Sequence, residues 1–94
     1  MSRIFETKDK SGRNIYLTDE RWKHILKHPE MANQLEHIKD TLLHPDTITT
    51  IEDDPDVRFY YRYYKSRKEY LFISVKYLNG EGFIITSFYT DKIK

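Results

Sequence analysis

Residues 58–64 read Arg-Phe-Tyr-Tyr-Arg-Tyr-Tyr and restrict the fold more than any other segment of the chain. Aromatic residues favour β-strands, and successive side chains of a strand point to opposite faces of its sheet. The two faces of this strand would present Phe59, Tyr61 and Tyr63 on one side and Arg58, Tyr60, Arg62 and Tyr64 on the other. The second face combines guanidinium groups, which bind phosphate, with rings, which stack on bases. The simpler interpretation is that tyrosines suit a strand and that the arginines keep its outer face soluble. The segment by itself favours this interpretation over nucleic-acid binding.

The length and composition indicate one small domain, residues 1–94. The absence of cysteine excludes a disulfide framework, a thiolate nucleophile and a cysteine-based zinc site. No apolar run approaches the roughly 20 residues of a membrane helix, and the N-terminus lacks the apolar segment of a signal peptide. We therefore expect a cytoplasmic protein, or a piece of a larger protein made in the cytosol, that does not associate with a membrane.

Charge is distributed unevenly along the chain, although the net charge is only +1. Residues 1–56 contain 8 Lys/Arg against 12 Asp/Glu, a balance of −4, whereas residues 57–94 contain 8 against 3, a balance of +5. The basic residues thus collect in the part that is predicted to form the sheet. Such asymmetry suits a polyanion such as RNA, and it suits an acidic protein partner equally well.

Two helices are predicted in the first half of the chain. The first begins at Thr18, whose hydroxyl can cap a helix N-terminus, and it ends near residue 27 or 28 because Pro29 follows. The second runs from about residue 31 or 33 to residue 43. We expect Trp22, on the apolar stripe of the first helix, to be buried between the two helices.

The remaining segments read as strands. Residues 4–7 and 14–17 can pair as a small hairpin, and four further strands are predicted at residues 47–52, 58–64, 70–77 and 83–90. The predicted fold is therefore α+β: a small N-terminal hairpin, then two α-helices packed on a mainly antiparallel four-stranded β-meander.

Turn lengths predict which side chains share a face. A three-residue turn at residues 66–68 would place three pairs on the open face of the sheet: Arg62 with Phe72, Tyr60 with Ser74, and Arg58 with Lys76. A three-residue turn at residues 79–81 would add Thr86 and Phe88 to that face. A two-residue Asn-Gly turn would instead reverse every side chain of the last strand.

His24 is the predicted proton donor or acceptor, since it lies on the first helix away from the apolar stripe. His28 follows four residues later, a spacing that allows one edge of a metal site with Glu20 or Glu30 as a third ligand. The intervening residues do not form a metalloprotease motif, so we expect no metal and no other cofactor. His37 and His44 are interpreted as solvated helix residues.

RNA cleavage without a metal needs few groups. A base or acid moves protons at the 2′-hydroxyl and the leaving oxygen, and cationic or hydrogen-bonding groups stabilise the charged phosphorus centre. His24 can serve the first purpose. The second can be served by Arg62, Lys76, Ser74 and Thr86, while the tyrosines of residues 58–64 can stack on bases.

Several motifs together resemble a phage- and mobile-element-associated group of the barnase, EndoU, colicin and RelE-like nuclease superfamily. They are Leu17–Ile25, His28-Pro29-Glu30, Thr41-Leu42, Pro45-Asp46, Leu71–Lys76, Ile85–Thr90 and Ile93-Lys94. The resemblance spans about residues 15–94 and implies helices followed by a four-stranded sheet. It also implies a site made of His24, a basic strand residue such as Lys76 or Arg62, and the Thr86 hydroxyl. The closing motif departs from the group, which prefers a small residue and then Tyr where this chain has Ser87-Phe88.

The resulting hypothesis is a toxin-like or phage-associated endoribonuclease that cleaves RNA by attack of the 2′-hydroxyl. Its predicted catalytic residues are His24, Arg62, Lys76 and Thr86, and its predicted substrate-binding residues are Arg58, Tyr60 and Tyr64. The alternative is a non-catalytic module whose Arg/Tyr sheet face docks an acidic protein, such as an antitoxin-like inhibitor or a phage protein.

Overall fold

The computed structural model describes residues 2–94 as six strands, two α-helices and one 3₁₀ turn. In chain order these are β1 (Arg3–Lys8), β2 (Asn14–Thr18), α1 (Asp19–Ile25), the 3₁₀ turn (Pro29–Met31), α2 (Leu35–Leu43), β3 (Thr47–Ile51), β4 (Asp54–Tyr64), β5 (Glu69–Leu78) and β6 (Glu81–Thr90). Neither helix within residues 2–94 has the length and apolar character needed to cross a bilayer.

All six strands belong to one mixed sheet, in the order β1-β2-β6-β5-β4-β3. β2 pairs with β6 in parallel, through Ile15 with Gly82 and Tyr16 with Phe83. The predicted architecture of a separate hairpin and a four-stranded antiparallel meander is therefore wrong. The hairpin extends the sheet instead, and Ile15 and Leu17 of β2 are fully buried there, which favours this arrangement.

The N-terminus of α1 forms as the sequence predicts. Thr18 has an extended backbone, and its Oγ1 accepts a hydrogen bond from the backbone N–H of Arg21 at 3.2 Å. Asp19 and Glu20 occupy the first turn, where negative charge suits the helix dipole. The helix ends at Ile25, somewhat earlier than predicted, and Trp22 is half-buried against the core rather than enclosed between two helices.

The two helices occupy different places on the sheet. α2 packs on β5, β4 and β1, whereas α1 packs along β6, β2 and β1. β2 and β6 stay paired only as far as Tyr16 and Phe83, so beyond that point α1 and the 3₁₀ turn border β6. This position of α1 determines which of its residues reach the two faces of the sheet.

The core lies between the sheet and the helices. Its fully buried members include Leu71, Ile73 and Val75 of β5, together with Ile25, Ile38 and Leu42 of the helices. We call the sheet face that presents Leu71, Ile73 and Val75 the helix face. The opposite face, which presents Phe72, Ser74 and Lys76, is the open face.

The register between β4 and β5 differs from the prediction by one residue. The observed pairs are Arg62 with Leu71, Tyr60 with Ile73, and Arg58 with Val75. Tyr64 pairs with Glu69, so the turn contains four residues, 65–68, instead of three. Because one extra residue moves every side chain to the other face, the four Arg and Tyr residues predicted for the open face lie on the helix face.

Near the turn, the register between β5 and β6 is the one that a two-residue turn predicts. Further along the strands it is the one that a three-residue turn predicts. The turn is the two-residue Asn79-Gly80, both with positive φ (55° and 80°), as a type I′ hairpin turn requires. A bulge opposite Ser74 and Val75 then inserts one extra residue into β6. Thr86 therefore faces Ser74 and Phe88 faces Phe72, both on the open face.

Candidate functional site

A cleft lined by aromatic rings lies on the open face. Its floor contains Phe59, Tyr61, Phe72 and Phe88, and its volume is about 190 Å³. Phe72 is central, with ring centroids 5.0 Å from Phe59, 5.3 Å from Tyr61 and 4.8 Å from Phe88. The rings meet because alternate positions of three neighbouring strands point to this face. We call this feature the aromatic cleft.

Two lysines line the aromatic cleft beside Thr90. Lys92 and Lys94 follow β6 directly, and the backbone N–H of Lys94 donates to the Tyr61 hydroxyl at 3.3 Å. This hydrogen bond holds residues 91–94 next to the rings. An apolar aromatic floor with cationic side chains at its border suits a flat, electron-rich group attached to an anion, which describes a nucleotide.

One side of α1 also reaches the open face. Glu20 and Arg21 line a second cleft of about 240 Å³ together with Tyr16, Thr18 and Phe83. Tyr16 and Phe83 are paired across β2 and β6, with ring centroids 6.1 Å apart. Beyond the other end of α1, the His28 ring lies 5.3 Å from that of Phe88 in the aromatic cleft.

His24 is exposed on α1 and lies between these two groups of neighbours along the chain. On a helix of about 3.6 residues per turn, Glu20, Arg21 and His24 fall within about 100° of arc, so His24 shares a side of α1 with the two helix residues of the second cleft. His28 lies beyond the end of α1 at Ile25, and its ring is next to that of Phe88. The convergence of His24 with Lys76 and Thr86 in one site stays a prediction.

Polar side chains fill the open face between the two clefts. Ser74 and Thr86 are opposite each other, and Lys76 is opposite Phe83. The Lys76 Nζ donates to Asp54 Oδ2 at 3.0 Å, and this hydrogen bond lowers the pKa of the Asp54 carboxyl below its usual value. We call Ser74, Thr86 and Lys76 the polar strip. Its two hydroxyl groups and the Lys76 ammonium group, whose charge is balanced by Asp54 in this structure, are groups that can hold a phosphate.

Four residues predicted for the same site lie on the other face of the sheet. Tyr60 is 2% exposed, and its hydroxyl bonds to that of Tyr77. Tyr64 stacks on His37 with centroids 4.3 Å apart. Arg58 and Arg62 are on the helix face as well, and Arg62 donates to the backbone carbonyl of His44 at 2.6 Å. Their predicted convergence with Lys76 is wrong, because the thickness of the sheet separates them.

Sequence reasoning missed part of the open-face site. Phe59, Phe88, Lys92 and Lys94 were not predicted as site residues, and His28 was considered only as a metal ligand. The excess of basic residues after position 56 pointed toward the lysines, but the grouping of the rings depends on the register. Within residues 2–94 no three His, Cys, Asp or Glu side chains are grouped closely enough to hold a metal ion.

Comparison with known proteins identifies the family. No curated protein and no solved structure matches the chain significantly. A family model described as phage-Barnase-EndoU-ColicinE5/D-RelE like nuclease2 matches residues 2–94, which is nearly the whole chain. The resemblance derived from the motifs around His24 and Thr86 is thereby confirmed. The chain belongs to this phage-associated family of nuclease-like domains, within the superfamily of barnase, EndoU, colicins E5 and D, and RelE.

Proposed function

We propose that the protein is an endoribonuclease that uses the open face as its active surface and needs no metal ion. The observation that supports this most directly is that exposed His24 shares a side of α1 with Glu20 and Arg21, which line an open-face cleft. In the proposed site its imidazole acts together with the hydroxyl and ammonium groups of the polar strip. Membership of a nuclease-like family agrees with such a use.

The proposed reaction is a transesterification within the RNA strand. His24 accepts the proton of a 2′-hydroxyl, whose oxygen attacks the adjacent phosphorus while the bond from phosphorus to the 5′-oxygen breaks. The leaving 5′-oxygen takes up a proton, for which His28, in contact with Phe88, is the proposed donor. The products are a 2′,3′-cyclic phosphate and a 5′-hydroxyl end. Lys76 and the Thr86 hydroxyl would bind the non-bridging oxygens and stabilise their negative charge.

The aromatic cleft would bind the base next to the scissile phosphate. A base can stack on Phe72 or Phe88 only when it is not paired inside a duplex, so the proposed substrate is single-stranded RNA. Lys92 and Lys94 would contact the flanking phosphates. The same positive border would also attract an acidic protein inhibitor, the second partner predicted from the charge distribution.

The proposal is tested by incubating the purified protein with mixed RNA in excess EDTA, beside three variants. His24→Ala should reduce the cleavage rate by about 10²- to 10⁴-fold, as expected for loss of a general acid or base. His28→Ala should also reduce the rate. His44→Ala is the matched control, because His44 is exposed at the end of α2 and should leave the rate unchanged.

Product chemistry and substrate choice make the test specific. The products should have cyclic phosphate ends, and RNA with 2′-O-methyl groups should not be cut, since its 2′-oxygen has no proton to lose. Cleavage that is equal in His24→Ala and in the parent protein would contradict the assignment of His24. Cleavage abolished by EDTA and restored by a divalent ion would contradict the metal-free mechanism.

A further inference from the structure

A basic pocket lies on the helix face, on the opposite side of the sheet from the polar strip. It has a volume of about 230 Å³ and is lined by Lys10, Ser11, Arg13, Ile48, Arg58 and Tyr60. Three of these residues come from the loop between β1 and β2, and the others come from β3 and β4. We call it the hairpin pocket. The nuclease chemistry proposed for the open face uses none of its residues.

The loop that forms one wall is held in place by a buried carboxylate. Asp9 Oδ1 accepts hydrogen bonds from Ser11 N at 2.9 Å, Ser11 Oγ at 2.7 Å and Arg13 N at 2.9 Å. Asp9 Oδ2 accepts the Tyr77 hydroxyl at 2.7 Å. Gly12, at φ 92°, supplies the left-handed turn that lets the chain close around the carboxylate. The wall is therefore ordered before any ligand binds.

The arginines are oriented by an aromatic ring. The Arg13 guanidinium carbon lies 3.9 Å from the centroid of Tyr77, and that of Arg58 lies 5.6 Å from the same centroid. Stacking restricts the rotamers of both side chains. The Nε–H of Arg13 donates to Ser11 Oγ at 3.3 Å, so the terminal NH₂ groups of Arg13 are the ones that can reach a ligand. Two guanidinium groups held beside one ring can donate hydrogen bonds to the tetrahedrally arranged oxygens of a phosphate.

The charge of the pocket is not balanced by its own residues. Arg13 pairs with Asp9, Nε to Oδ2 at 3.4 Å. Across residues 2–94, Lys10 and Arg58 form no ion pair with a carboxylate. The three cations and one buried carboxylate therefore leave an excess of two positive charges at a concave site. Such an excess costs free energy through mutual repulsion unless an anion occupies the site.

From the ordered loop, the two stacked arginines and the unbalanced charge, we infer that the hairpin pocket binds a phosphoryl group. The group is either a free phosphate ester or a phosphate of a nucleic acid strand that extends beyond the open face. Lys10, Arg13 and Arg58 contact its oxygens, while the Ser11 hydroxyl keeps its hydrogen bond to Asp9 and holds the loop in place. This site is separate from the proposed catalytic surface and does not depend on cleavage.

The test uses inorganic phosphate as the probe, titrated into the 94-residue chain at constant ionic strength and followed by amide chemical shifts. Saturable shifts should appear in residues 9–14 and around Arg58. The double substitution Lys10→Gln/Arg58→Gln should weaken binding by about tenfold or more, since two charge-assisted contacts are lost. Lys65→Gln/Lys68→Gln removes the same charge from the exposed turn between β4 and β5 and should change the affinity less than about twofold.

A second titration identifies the source of the phosphoryl group. A short 2′-O-methyl oligoribonucleotide, which the proposed nuclease reaction cannot cut, replaces phosphate. If Lys10→Gln/Arg58→Gln weakens binding of the oligoribonucleotide as much as binding of phosphate, the group belongs to a nucleic acid strand. If the variant weakens only phosphate binding, the group is a free ester. Non-saturating shifts, or equal effects of both double variants, would overturn the inference. If the protein binds phosphate in this pocket but has no ribonuclease activity, the proposed function is rejected and the inference of a phosphoryl site still holds.

Discussion

Gly82 determines how closely the helix face can pack at the start of β6. It is buried and pairs with Ile15 and Tyr77 on its two sides. A Cβ at this position would lie 2.9 Å from Tyr77 Cε1, closer than real Cβ contacts come, and 3.0 Å from Val75 Cγ1, which is tighter than most of them. The missing side chain therefore allows the Tyr77 ring to reach Asp9.

We predict that Gly82→Ala destabilises the protein, because the Tyr77 ring must move away from its hydrogen-bonding partners. The expected loss is about 1–3 kcal/mol in the free energy of unfolding, as for other overpacked cores. Urea denaturation measures it. Thr50→Ala, at an exposed position of β3, is the control and should change stability by less than about 0.5 kcal/mol. An equal stability of both variants would show that the ring adapts without cost.

A second prediction concerns Asp9 and pH. Burial disfavours ionisation of its carboxyl, but hydrogen bonds from Ser11, Tyr77 and Arg13 outweigh this and hold the pKa below the usual value. The unfolded chain therefore takes up a proton at higher pH than the folded one. The stability from the ionised carboxylate is present above the unfolded pKa of about 4 and is lost as the pH falls through the folded value.

Asp9→Asn should accordingly lower the free energy of unfolding at neutral pH by about 1.5–3 kcal/mol, the range for hydrogen bonds to charged groups. As the pH falls from about 4 through the lower pKa of the folded state, the difference between the variant and the parent protein should shrink, because the Asp9 carboxyl becomes protonated and both proteins then contain a neutral group at this position. Thermal unfolding across the pH range measures both effects. A difference that stays constant with pH would mean that the charge of Asp9 does not contribute.

At the scale of the elements, α1 is the helix whose stability matters most for the proposed chemistry. It is short, and a helix of this length is marginal without capping and packing. Thr18→Ala removes the hydroxyl that accepts the Arg21 N–H and should cost about 1 kcal/mol in the free energy of unfolding. Thr18→Ser keeps the hydroxyl and should remain close to the parent protein. Urea denaturation of the two variants compares them directly, and an equal loss in both would assign the effect to the methyl group.

At the scale of the whole molecule, the parallel pairing of β2 with β6 joins the N-terminal hairpin to the rest of the sheet. In the strand order, β5 is interior while β1 and β3 form the edges. Amide hydrogen exchange should therefore be slowest in β5 and fastest at the two edges, with β2 slower than β3. If β1 and β2 exchange together well before β3, the hairpin opens as an independent unit and the six strands do not unfold as one.

Local features were predictable from the sequence because they depend on neighbouring residues. Thr18 caps α1 since its hydroxyl reaches an N–H three residues later, and Asn79-Gly80 forms a tight turn since both residues tolerate positive φ. The motifs around His24 and Thr86 also indicated the family, which the comparison of residues 2–94 confirms. These inferences need only sequence spacing and side-chain chemistry.

The faces of the sheet were decided only by the tertiary structure. One additional residue in the turn at 65–68 moves Arg58, Tyr60, Arg62 and Tyr64 from the open face to the helix face. A bulge in β6 then restores Thr86 to the face that contains Ser74. Turn length and bulges respond to how well distant side chains fill the core, and the pairing of β2 with β6 joins segments that are far apart in the chain. The sequence by itself thus determined the elements and the family, while packing across the molecule decided which residues meet.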